Sequence, residues 1–131
     1  MLVTLPIFND RPPSVMIADD DGTILNLLAE GFEMFGCRVF TAENGLDAWD
    51  LFENRTIDIV LTDIRMPGID GVQLSHRIRK RSPWVTIGVM TGGDADAATR
   101  LLEDGTVDHF FPKPFNLINV CRSLTTEAQT A

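Results

Sequence analysis

Short apolar runs alternate with longer segments of helical periodicity from one end of this chain to the other, and no other feature restricts its fold as much. Residues 15–18 read as a first strand. Residues 23–35 then place Ile24, Leu27, Leu28, Phe32 and Phe35 on one side of a helix that Gly36 ends. The couple recurs along the chain. Strands are expected over 38–42, 57–61, 86–90 and 108–111, and helices over about 45–53, 72–81, 94–103 and 116–126. Consecutive parallel strands need a crossover, and a helix covering one face of the sheet is the usual one. The pattern therefore predicts a three-layer αβα sandwich around a doubly wound, five-stranded parallel sheet, covered on both faces.

In such sheets ligands bind beyond the carboxyl ends of the strands, so the loops that follow the strands are where chemistry is sought. The first strand runs into Asp19, Asp20 and Asp21, the third into Asp63, the fourth into Thr91, Gly92 and Gly93, and the fifth into Lys113 and Pro114. Each acidic residue alone reads best as a cap for the next helix, and for Asp21, just before Gly22 and Thr23, that reading is preferred. Asp19, Asp20, Asp63, Thr91 and Lys113 on one edge are not explained by capping. Two carboxylates about 5 Å apart repel by roughly 3 kcal/mol at an effective dielectric near 20. A hard divalent cation such as Mg²⁺ offsets this with oxygen ligands alone. Asp63 is then placed to hold the metal and to offer a nucleophilic oxygen to a phosphoryl group, with Lys113 supplying a cation and Thr91 a hydroxyl.

Composition narrows the class. The 131 residues are 44% hydrophobic and 23% charged, as in a soluble globular protein, and no apolar run approaches the length of a bilayer span. The start, MLVTLPIFNDRPP, lacks the basic, uninterrupted pattern of a secretory signal, and two cysteines, Cys37 and Cys121, fit a reducing cytoplasm. Cys121 shares a helix face with Ile118 and Thr125 and is expected to be a packed thiol. A net charge of −8 favours cations and argues against direct nucleic-acid binding.

The segments VMIADDD, DIVLTDIRMPGIDG, GVMTGG and FFPKPF, in that order and spacing, resemble the receiver domain of two-component response regulators. The resemblance covers residues 14–126, leaving 1–13 as an N-terminal extension and 127–131 as a tail. It implies a flavodoxin-like sheet of order 2-1-3-4-5. It implies Asp63 as phosphoacceptor; Asp20, Asp63 and the backbone carbonyl of Arg65 as Mg²⁺ ligands; and Asp19 acting through a metal-bound water. Lys113, Thr91 and the Gly92 N–H would contact the phosphoryl group, Thr91 and Phe110 would form a switch pair, and the bond from Lys113 to Pro114 would be cis. Expected partners are a sensor histidine kinase or phosphotransfer protein, and a downstream protein or second copy on the face of the fourth helix, fifth strand and fifth helix. No membrane is expected, and no enzyme turnover beyond loading and loss of the phosphoryl group on Asp63.

Rival readings on the same fold fare less well. A Mg²⁺-dependent phosphatase with an aspartyl nucleophile needs an acid two residues after it, where this chain has Arg65. A flavin module needs phosphate-binding donors after the first strand, where three aspartates would repel it. A receiver that has lost phosphorylation is opposed by the complete acidic and lysine set. The run Arg77, Arg79, Lys80, Arg81 reads as a solvated helix face, His76 and His109 as surface or packing residues, and Trp49 and Trp84 as core or edge aromatics.

Overall fold

The computed structural model describes residues 11–130, with side chains from 11 to 126. Five parallel strands, β1 (Ser14–Ala18), β2 (Arg38–Ala42), β3 (Ile59–Asp63), β4 (Thr86–Thr91) and β5 (His109–Pro112), lie in the order β2-β1-β3-β4-β5. Between and after them come α1 (Gly22–Met34), α2 (Gly45–Asn54), α3 (Gly71–Arg81), α4 (Ala95–Glu103) and α5 (Leu117–Thr130). The predicted doubly wound sandwich is the observed architecture.

Alternation along the strands divides the core in two, because successive side chains point to opposite faces. Val15, Ile17, Ile59, Leu61 and Met90 pack with Leu28 and Phe32 of α1 and Val120 and Leu124 of α5. Met16, Val60, Ile87 and Val89 pack with Phe52 of α2, Leu74 and Ile78 of α3 and Leu101 of α4. All five residues of β1 and of β3 are buried, as central parallel strands require.

The third strand differs from the expectation over 57–61. Its ladder starts at Ile59 and continues through Thr62 and Asp63, which sit opposite Val89 and Met90 of β4. Backbone groups make the ladder, so polar side chains do not end it, while Ile57 is buried in the core without belonging to the strand. Asp63 is thus the last rung of β3. For the same reason β4 takes in Thr91, paired with Pro112 of β5. On α5, Cys121 and Thr125 face the core as expected, but Ile118 is 41% exposed. The Thr125 hydroxyl donates to the Cys121 carbonyl.

The breakers after β3 each have a structural task. Gly68 has φ +77°, a left-handed conformation that disfavours any Cβ. Asp70 caps α3, its carboxylate accepting from the Gln73 amide while the Gln73 side chain accepts from the Asp70 N–H. At Gly71 a Cβ would lie 2.1 Å from the carbonyl oxygen of Asp63, so only glycine lets α3 begin this close to the strand end. The chain is turned sharply enough to keep Asp63 at a cleft rather than under a loop.

Candidate functional site

Four of the expected residues converge. Asp19, with no exposed surface, Asp20, which is exposed, and Asp63, buried, each bring a carboxylate oxygen within 4.8 Å of the others. Lys113, carried over from the end of β5, places Nζ 3.1 Å from Asp19 Oδ2 and 3.2 Å from Asp63 Oδ2. The bond between Lys113 and Pro114 is cis. Asp21 is the N-cap of α1, accepting from the amides of Thr23 and Ile24, as its position suggested. The Asp21 amide in turn donates to Asp19 Oδ1 at 2.9 Å.

The electrostatics follow from three carboxylates gathered about one ammonium, which Asp19 and Asp63 share. Burial pushes the Asp19 carboxyl above the usual range and the Asp63 charge adds to it, against the opposing help of the Asp21 N–H and Lys113. Burial also works against the Lys113 ammonium, but Asp19 and Asp63 outweigh it and hold its pKa above the ordinary lysine value. A cluster with excess negative charge, oxygen donors only and one partly solvent-facing carboxylate suits a hard cation that keeps part of its water shell. The donor set therefore fits Mg²⁺.

Thr91 stands differently. Its Oγ1 accepts from the amides of Gly93 (3.1 Å) and Asp94 (2.7 Å), so the hydroxyl oxygen ties down the loop that leads into α4. Asp94, at the N-cap position, makes no side-chain cap. Its carboxylate is instead held by Arg65, through Nε and through Nη2 at 2.8 Å, across the mouth of the site. The Arg65 side chain is 77% exposed. This ion pair links the β3–α3 and β4–α4 loops over 29 residues of sequence and had no signal in local periodicity. Gly92 and Gly93 leave the space beside them open. Phe110, opposite Val89 in the ladder, is half-buried against the core on the α2–α4 side.

The remaining candidates are structural. Cys37 and Cys121 are free and buried, and desolvation pushes both thiols up to about 12, leaving them unreactive near neutrality. His76 is exposed beside the Thr106 hydroxyl, and the His109 ring stacks on Phe111. Trp49 stacks on Phe52, whereas Trp84 is largely in solvent. Arg79 is not a solvated face: it donates to the carbonyls of Thr106, Pro83 and Val85 and to Asp108. Among the described residues no helix is long and apolar enough to cross a membrane.

Three carboxylates and a lysine thus converge beyond the C-terminal edge of a doubly wound parallel sheet. Residues 15–125 match the response regulator receiver domain, and the chain belongs to that family, the phosphoacceptors of two-component signalling. It is 35% identical over 104 residues to sporulation initiation phosphotransferase F of Bacillus subtilis, covering 79% of this chain and 83% of that protein. It is 36% identical over 104 residues to the DNA-binding transcriptional regulator NtrC of Escherichia coli, spanning 79% of this chain but 22% of the relative. Among solved structures, a CheY-like receiver domain protein from Methanospirillum hungatei superimposes with a TM-score of 0.85 at 22% identity, covering 91% of this chain and 95% of that one. A receiver domain protein from Clostridium thermocellum gives 0.82 at 28% identity, with 90% and 94% covered.

Proposed function

We propose that Asp63 is the phosphoacceptor, and that the domain, residues 14–126, takes its phosphoryl group from the phosphohistidine of a sensor kinase or phosphotransfer protein in the cytoplasm. An Asp63 carboxylate oxygen attacks phosphorus, the new P–O bond forms as the P–N bond breaks, and the electron pair leaves with the imidazole. Asp20, Asp63 and the Arg65 carbonyl would hold Mg²⁺, with Asp19 reaching it through water. The bound cation supplies positive charge that draws the carboxylates together and neutralises the transferring group. Lys113 is supported in its role by its contacts with both buried aspartates: its ammonium turns to the phosphoryl oxygens as negative charge arrives. No separate substrate is turned over. Arg65 stands where an aspartyl phosphatase needs a second acid and is committed to Asp94, which disfavours that alternative.

Output follows from the commitment of Thr91. Its hydroxyl would move to the phosphoryl group with the Gly92 N–H, releasing the amides of Gly93 and Asp94, and Phe110 would turn inward into the space left. The change would reach the α4-β5-α5 face, where a downstream protein or a second copy docks. Its drive is limited to the differential contacts of the phosphorylated state. The observation that carries the reading is the shared Lys113 between Asp19 and Asp63. Incubation with Mg²⁺ and a small phosphodonor is expected to add one phosphoryl mass to the protein and none to Asp63→Asn; labelling of the variant at wild-type yield would refute Asp63 as acceptor.

A further inference from the structure

The opposite, N-terminal edge of the sheet holds a second concentration of charge that phosphoryl chemistry does not use. Arginines gather there, and most are neutralised by a partner: Arg11 by Asp58, Arg79 by Asp108, Arg81 by Glu53. Arg38, the first residue of β2, and Arg55, the C-cap of α2, are the exceptions. Both are exposed, and neither makes an ion pair among the described residues. Their guanidinium carbons instead lie 5.7 Å and 4.7 Å from the ring centroid of Phe40. A stacked guanidinium keeps its planar fork of N–H donors free for a carboxylate.

The two forks border a cavity of about 260 Å³ that Arg11, Asn54 and Thr56 also line and to which, among the described residues, no acidic side chain contributes. This is small for a cofactor and suited to one or two side chains. Arg55 and Thr56 continue into a neighbouring cavity of about 250 Å³ bordered by Phe52 and Trp84, the latter 75% exposed. The cavity between the two arginines thus adjoins one of mixed character, where Phe52 and Trp84 stand beside Glu53, Arg81 and Ser82.

We propose that this edge is a docking site for an acidic segment of a partner protein, with a carboxylate held between Arg38 and Arg55 and a following apolar side chain against Trp84. It is independent of the phosphoryl site, a strand's length away.

The test is an amide-resolved NMR titration of the full chain with a blocked Asp-Glu-Leu-Leu peptide at low salt. Saturable shifts are expected at Arg38, Phe40, Arg55 and Trp84. Affinity should fall by roughly tenfold or more in R38Q/R55Q, since two charge-assisted contacts are lost. The double variant should keep its amide spectrum and its phosphoryl uptake, and the Asn-Gln-Leu-Leu peptide should leave the same amides unmoved. The proposal is overturned if no saturable shift appears, if the double variant binds equally well, or if inorganic phosphate saturates the same amides as tightly, which would mark a small-anion site. It is also overturned if D10N alone reproduces the shifts, since the occupant would then be this chain's own leading segment.

Discussion

Asp58 and Asp19 are two shielded aspartates at opposite ends of the same sheet, and the fold treats them in opposite ways. The Asp58 side chain, 12% exposed, accepts from both Arg11 Nη atoms and from the Ser14 amide, each at 2.8 Å. Its charge is matched by its own guanidinium, and it ties the start of β1 to the approach to β3. Asp19 is wholly buried, receives one amide, and must share a single ammonium with Asp63. The first site is satisfied and structural. The second is left short of positive charge, and such a deficit persists where binding relieves it. The lesson is that an acidic residue in a receiver reports function through what it lacks, since burial and charge are common to both ends.

Four experiments break or sharpen that contrast. Asp58→Ala is expected to destabilise by about 3 kcal/mol in urea unfolding, because it leaves an arginine and a shielded amide without their acceptor. An unchanged midpoint would mean the satisfied site is not satisfied in solution. Mg²⁺ should act only at the other end, raising stability by about 2.7 kcal/mol at a hundredfold excess over its dissociation constant. Chelation should remove the gain, and Asp20→Asn should abolish most of it. Equal Mg²⁺ stabilisation of both proteins would sink the metal assignment.

Asp19→Asn should stabilise the Mg²⁺-free protein by about 1 kcal/mol, the reverse of Asp58→Ala in sign, by removing a buried charge and, with it, the repulsion from Asp63. Its raised pKa gives the same sign: the fold disfavours the ionised form. Destabilisation would show that Lys113 already balances the cluster. The smallest expected effect is at the rim. Arg65→Ala frees Asp94 and should leave the unfolding midpoint in place while changing the lifetime of the phosphorylated protein by about two- to fivefold, the scale of an exposed pair. An unchanged dephosphorylation rate would remove Arg65 and Asp94 from any gating role.

Much of this was legible in the sequence. Short apolar runs and faces of period 3.6 gave every strand and helix, because burial acts on each segment where it stands. The aspartates, Thr91 and Lys113 were legible as a set because a parallel sheet puts all post-strand loops on one edge. Strand ends were less legible: Thr62 and Asp63 look like loop, yet their backbone completes the β3–β4 ladder.

What only the tertiary structure decided is which charges meet. Arg11 reaches Asp58 across 47 residues, Arg65 reaches Asp94 across 29, and Lys113 reaches Asp19 across 94. Thr91 could be named as a hydroxyl donor, but not that its oxygen holds the amides of Gly93 and Asp94. Periodicity depends on neighbours along the chain, whereas an ion pair depends on where two loops end after the whole sheet has assembled. The residue types were fixed locally; their partners were fixed by the packing that brought the loops together.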